Sequence, residues 1–280
     1  RYHFEHELDT GARGAVFRGC DRQSGRAVAI KLFVDSGEGC KRVTHSSATC
    51  EVLDTRLQLS HPYIPQIYEI GRAGKLRYEV MQLVQGVDLR AHIDPCTLLP
   101  LRIVLALTEC VAGALQYLHD SGFVHGDVKP ANIMFDAATG RASLTDVAGE
   151  VGSGDTTRTP AYMAPEQLRG CPASAAADQF SLGVTLYQLA CGRLPFRGPS
   201  RPQIVRSIAT APHVDIRSHD SRLPASFAAI LDKALSKDVN DRYSGLDALR
   251  LALKAVGEEL DAQAGAADGL SQCVERSCVA

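Results

Sequence analysis

Over its first third the chain alternates short apolar runs with turn residues; beyond residue 100, apolar positions recur every three or four residues. The runs Val16-Phe17, Val28 to Phe33, Ile67 to Ile70 and Tyr78 to Val84 are separated by turn signals such as Ser24-Gly25 and Gly71 to Gly74. That pattern predicts strands joined by turns, with one helical stretch between them over about 47–59. Further on, Ile103, Leu107, Val111, Ala114 and Leu118 form one apolar stripe, which predicts a helix with a buried face ending near Gly122. Other helical patterns cover about 178–191, 226–236 and 244–256. Ile133 to Phe135 and Ala142 to Leu144 read as strands around a turn at Asp136 to Gly140. The expected fold class is α+β and bilobal: a small β-rich lobe with one main helix over about 1–85, and a larger helical lobe over about 86–258. The segment 259–280 is rich in Ala, Gly and Gln and is expected to be a poorly ordered tail.

Composition narrows the classes. With 280 residues, 45% of them apolar, there is chain enough for one large domain or two lobes. Thirty basic residues against 32 acidic ones give no basic excess, so neither a nucleic acid nor a membrane surface is the expected partner. No wholly apolar run approaches the roughly 18–20 residues of a membrane span. The chain starts at Arg1 and reads as a fragment, on which a signal or anchor need not be visible. Its nine cysteines are scattered, odd in number and without a CxxC pair. They read as reduced thiols rather than a metal cluster or disulfide framework, and the expected location is cytoplasmic, or the cytoplasmic domain of a larger protein.

The chemistry is concentrated at a few sites. Gly11-Ala12-Arg13-Gly14-Ala15-Val16 lies between two strand-like runs, where glycines let backbone N–H groups approach phosphate oxygens. Behind it, Val28-Ala29-Ile30-Lys31 ends an apolar strand in one lysine. That lysine needs an orienting carboxylate, and Glu51 on the following helical stretch is the candidate. The loop His125-Gly126-Asp127-Val128-Lys129-Pro130-Ala131-Asn132 sets Asp127 and Asn132 five residues apart, with Lys129 between them. Nineteen residues after Asp127 comes Asp146, just past a predicted strand. A carboxylate base, an amide oxygen and a second carboxylate are the groups that metal-assisted phosphoryl transfer uses.

These motifs, in this order over roughly 1–255, resemble the eukaryotic-type serine/threonine protein kinases that also occur in bacteria. The resemblance implies ATP and Mg²⁺ as cofactors, with Mn²⁺ as the alternative ion, and a protein substrate with a Ser or Thr hydroxyl. It implies that Leu8, Gly11, Gly14 and Val16 cover the ATP phosphates and adenine, and that Lys31, oriented by Glu51, contacts the α/β-phosphates. Met81 becomes the gatekeeper and Gln82 to Val84 the hinge that presents backbone groups to adenine, with Asp88 near the ribose. Ala29 and Met134 join Val16 in sandwiching the adenine ring. Asp127 takes the role of catalytic base, Lys129 that of the lysine two residues beyond it, and Asn132 and Asp146 those of metal ligands. Thr159, in the segment Thr159 to Glu166, is placed beside Asp127 and Lys129. Glu166 is paired with Arg242, and Asp178 braces the catalytic loop.

The sequence departs from that pattern at several points. Asp9 stands where the phosphate loop has its first glycine, and Gly126 where an arginine usually precedes the catalytic aspartate. Without that arginine, control by a phosphate on Thr156 or Thr157 of the short activation segment is not expected. Val147-Ala148 replaces Phe-Gly, and valine buries on the order of 1 kcal/mol less than phenylalanine. Glu51 stands ten residues before His61, which leaves its register with Val52 open. Two alternatives remain at this point. One is a pseudokinase or ATP-binding scaffold, suggested by the altered positions. The other is a small-molecule kinase of the aminoglycoside or choline type, suggested by His125-Gly126-Asp127.

Overall fold

The computed structural model describes residues 1–11, 14–34, 55–74, 76–147 and 159–277. Glu51, Ala148, Thr156 and Thr157 lie outside the described residues, as do residues 47–54 of the predicted helix at 47–59; of its described part, Thr55-Arg56 is helical and 57–59 is turn and coil.

Five antiparallel strands build the small lobe: β1 (Tyr2–Gly11), β2 (Gly14–Asp21), β3 (Ala27–Val34), β4 (Ile67–Ala73) and β5 (Leu76–Gln82). Their order is β1-β2-β3-β5-β4. Alternation along β3 and β5 divides the residues between two faces. Val28, Ile30 and Val80 form a small apolar cluster with Tyr2, Leu32, Tyr68 and Tyr78. Ala29, Lys31, Glu79 and Met81 take the other face, with Ala29 paired to Met81 and Lys31 to Glu79. At the start of β2, Gly14 has φ +130°, and a Cβ there would sit 1.9 Å from the Leu32 carbonyl oxygen. No other residue fits that hairpin.

The larger lobe is helical: α1 (Leu101–Asp120), α2 (Pro165–Leu168), α3 (Ala175–Cys191), α4 (Arg201–Thr210), α5 (Ala225–Ala234) and α6 (Leu246–Ser277). A three-stranded sheet, β6 (Val87–Asp88), β7 (Ile133–Asp136) and β8 (Arg141–Leu144), lies against α1 in the order β6-β7-β8. Fourteen of the 17 residues of α3 are buried, so it is the axis of the lobe rather than a surface helix. Its N-cap Ser174 accepts from Ala177 N–H, and it stops at Gly192 in the left-handed conformation. By length and composition α1 is apolar enough to cross a membrane, although no single run within it is wholly apolar. Its buried face, including Val104, Leu107, Val111 and Leu118, is instead part of the large-lobe core.

Two expectations are corrected. Ile103 belonged to the predicted apolar stripe but is exposed; the buried row runs through its neighbour Val104. The helical pattern read over 244–256 continues to Ser277. The Ala, Gln, Glu and Leu residues beyond 258 are good helix formers even where no apolar stripe is visible, which the reading by periodicity overlooked. The short helices α2 and α4 were not predicted.

Candidate active site

The loop His125 to Asn132 hangs from one buried carboxylate. Asp178, in the first turn of α3 and fully buried, accepts hydrogen bonds from His125 N–H at 2.9 Å and Gly126 N–H at 2.7 Å. Its Oδ2 also takes His119 Nε2 at 2.9 Å. Three donors satisfy a charge that would otherwise be costly to bury. Gly126 sits at φ +73°, a conformation that glycine adopts without strain. The buried His125 ring ties the loop to the strand after it. Nδ1 accepts from Asp127 N–H at 3.2 Å, so the ring proton is on Nε2, which donates to the Thr145 carbonyl at 2.9 Å.

Three side chains converge above this scaffold. Lys129 Nζ donates to Asp127 Oδ2 at 2.9 Å, and Asn132 Nδ2 donates to the Asp127 backbone oxygen at 2.7 Å and to Oδ2 at 3.2 Å. Pro130 at the first position of a short 3₁₀ turn, Pro130–Asn132, fixes the spacing between Lys129 and Asn132. Thr145 N–H and Oγ1 both donate to the Asn132 carbonyl, which joins the loop to Asp146. Asp146 has φ +58°, the single non-glycine residue with positive φ among the described residues. Strain of that kind, on the order of 1–3 kcal/mol, persists only where the surroundings enforce it, and it clusters at functional sites. Next to it, Val147 is buried at 9% exposure in the core of the large lobe, so the smaller side chain still docks.

Lys31 crosses from the small lobe to reach Asp146, with Nζ to Oδ1 at 2.5 Å. The expected carboxylate partner, Glu51, lies outside the described residues. The donor set suits a hard divalent cation. With Asn132 Nδ2 committed to Asp127, its Oδ1 and the Asp146 carboxylate are the oxygens that could hold one.

At the mouth of the cleft, Ala29 and Met81 face each other across β3 and β5, and Met134 pairs with Asp88 across β6 and β7. Val16 and Val84 are half-buried and Gln82 is exposed. Leu8 occupies a register break in β1 and is exposed, while Gly11 and Gly14 close the β1–β2 hairpin. Arg90 Nε and Nη2 grip Asp88 at 2.8 Å each, and Nη2 also reaches Asp9 Oδ2 at 3.6 Å. The carboxylate at the missing first glycine thus faces an arginine of the other lobe. Burial pushes the Asp88 pKa up, but the Arg90 hydrogen bonds outweigh it and hold the carboxyl below its usual value.

Thr159 is not drawn into the constellation. Its side chain is exposed and, among the described residues, makes no hydrogen bond to Asp127 or Lys129. Beyond it the segment is firmly anchored. Glu166 accepts both arms of Arg242 at 2.8 Å, and Arg242 also donates to the Ser236 and Ala176 carbonyls. Burial works to raise the Glu166 pKa, yet the Arg242 pair lowers it overall. Tyr162 hydroxyl donates to Gln188 Oε1 at 2.5 Å, and burial pushes its pKa up to about 12.

Sequence reasoning missed Arg90, Arg56 and Glu79. The last carried a signal, since a single carboxylate interrupts the apolar run Tyr78-Glu79-Val80-Met81. In the structure Arg56 Nη2 donates to Glu79 Oε1 at 2.6 Å, with both side chains buried.

Comparison with known proteins places this arrangement. A family model described as "Protein kinase domain" matches residues 2–253. The chain is 30% identical over 299 residues to the serine/threonine-protein kinase PkaA of Streptomyces coelicolor, covering 96% of this chain and 53% of that protein. It is 34% identical over 215 residues to the serine/threonine-protein kinase PknA of Mycobacterium tuberculosis, covering 71% of this chain and 48% of that one. The chain therefore spans about half the length of these relatives. Among solved structures, Rad53 1-466 in complex with AMP-PNP aligns with a TM-score of 0.75 at 24% identity, over 88% of this chain and 62% of that one. The Mycobacterium tuberculosis PknI kinase domain aligns at 0.73 with 24% identity, over 91% and 94%. At these identities the structural likeness establishes the fold.

Proposed function

This chain belongs to the protein kinase family, and from that premise we propose that it transfers the γ-phosphoryl group of ATP to serine and threonine hydroxyls of proteins, with Mg²⁺ as its metal. The observation that carries the reading is the convergence of Lys129 and Asn132 on the Asp127 carboxylate, with Asp146 tied to the same loop through Thr145.

The roles follow from the contacts. Asp127 is held by its neighbours in one orientation and accepts the proton of the substrate hydroxyl. The hydroxyl oxygen bonds to the γ-phosphorus, the bond from that phosphorus to the β–γ bridging oxygen breaks, and ADP leaves with that electron pair. Lys129, at 2.9 Å from Asp127, supplies positive charge beside the moving phosphoryl group. Lys31 holds the α/β-phosphates against the small lobe. Asp146 and Asn132 are the residues that would hold the cation, which would supply positive charge to neutralise the phosphates. Gly126 offers no guanidinium to receive an activation-loop phosphate, so we place the control of this kinase elsewhere.

The test is transfer of label from [γ-³²P]ATP to a generic protein substrate, followed by identification of the labelled amino acid. Phosphoserine and phosphothreonine are expected. Label on a small-molecule acceptor alone, or none above background, contradicts the proposal.

A further inference from the structure

Glu79 has no part in the scheme above, yet it stands beside the centre of it. It lies on β5 directly opposite Lys31 on β3. Directly opposed residues of antiparallel strands project to the same face, with Cβ atoms about 4.5–5.5 Å apart. Both side chains are buried, at 8% and 9% exposure. Glu79 also lines the small cavity behind the cleft together with Met81, Thr145, Asp146 and Val147. That is the space beside the Lys31–Asp146 ion pair. Its Oε1 is fixed by Arg56, while Oε2 makes no hydrogen bond among the described residues. A carboxylate at this position is costly to bury, whereas an apolar residue such as the adjacent Val80 would be accommodated at no such cost.

We propose that Glu79 is a positioning residue: a carboxylate clamped by Arg56 to the small lobe's own sheet, which holds the Lys31 ammonium toward the phosphates of bound ATP. In the structure as described, Lys31 is balanced by Asp146. With a cation bound, the Asp146 carboxylate would be shared with it, and Lys31 would need a second carboxylate that does not move with the other lobe. Glu79 supplies it from the neighbouring strand, without depending on the segment that carries Glu51. The inference rests on the kinase reading for the role of Lys31.

The experiment compares wild type with Glu79→Gln, with the double variant Arg56→Met/Glu79→Leu, and with both changes placed in a Lys31→Met background. The double variant removes the two members of the Arg56–Glu79 pair together, so neither is left buried without the other. The readouts are melting temperature, the dissociation constant of a fluorescent ATP analogue, and the KM and kcat for ATP. Glu79→Gln and the double variant are expected to weaken nucleotide binding and raise the ATP KM about tenfold, with the KM for the protein substrate unchanged. In the Lys31→Met background the same changes should have no further effect on nucleotide binding, because the residue they act through is gone. An unchanged ATP dissociation constant in Glu79→Gln or the double variant overturns the proposal, whatever happens to the melting temperature. So does a loss of binding that persists in full without Lys31, which marks a merely structural role. Because binding is read apart from transfer, a wild type that binds ATP but moves no phosphate would refute the kinase reading and still decide the role of Glu79.

Discussion

Gly126 shows how one residue can serve both backbone and chemistry. Its φ of +73° lets successive N–H groups of the loop point at Asp178, and glycine holds that conformation without a Cβ penalty. Gly126→Ala should cost about 1 kcal/mol. For a domain of this size that is a fall in melting temperature of about 2–4 °C, measurable by calorimetry. At Asp9 the sequence sets a carboxylate where the phosphate loop has its first glycine, and in the structure Arg90 is shared between Asp9 and Asp88. At Asp127 the expectation is chemical rather than structural. Asp127→Asn keeps the shape but removes the proton acceptor, so kcat should fall about 10²–10⁴-fold with the melting temperature close to wild type.

Among the elements, the pairing of Glu166, on the short helix α2, with Arg242 fixes the end of the segment Thr159 to Glu166 to the body of the large lobe. Arg242 is fully buried at its side chain, lies over the Phe180 ring and donates to two backbone carbonyls besides Glu166. Removing it leaves a largely buried carboxylate unpaired, which typically costs about 3–5 kcal/mol. The pH dependence has a definite sign. The folded pKa of Glu166 is depressed, so its contribution is present above the unfolded value of about 4.3 and lost as pH falls through the folded value. Urea unfolding of Arg242→Met should therefore show its largest deficit near pH 7 and a smaller one at low pH. An equal deficit at both would assign the loss to packing and the backbone hydrogen bonds instead. The same helix-level view explains α3, whose apolar positions surround it on all sides because it is enclosed by the rest of the lobe.

For the whole molecule, the division into a β-rich and a helical lobe was legible because period-two and period-3.6 patterns occupy separate stretches of the chain. The cluster in the loop His125 to Asn132 was legible because it is local: Asp127, Lys129 and Asn132 lie within six residues and meet through short-range hydrogen bonds. What escaped was set by register and by contacts between distant segments. Nothing local pairs Arg56 with Glu79 or Arg90 with Asp9, and Ile103 and Val104 differ only in which side of α1 meets the core. Glu79 is the intermediate case, visible as a charge in an apolar strand but without a partner until the strands were aligned. The account as a whole depends on the two lobes meeting through Lys31 and Asp146 to form a working phosphotransfer site. The most direct test is [γ-³²P]ATP transfer to a protein substrate by wild type, Asp127→Asn and Asp146→Ala in the presence of Mg²⁺. The prediction is label on serine and threonine with wild type and a loss of at least ~10²-fold in either variant; equal incorporation by wild type and both variants would contradict it.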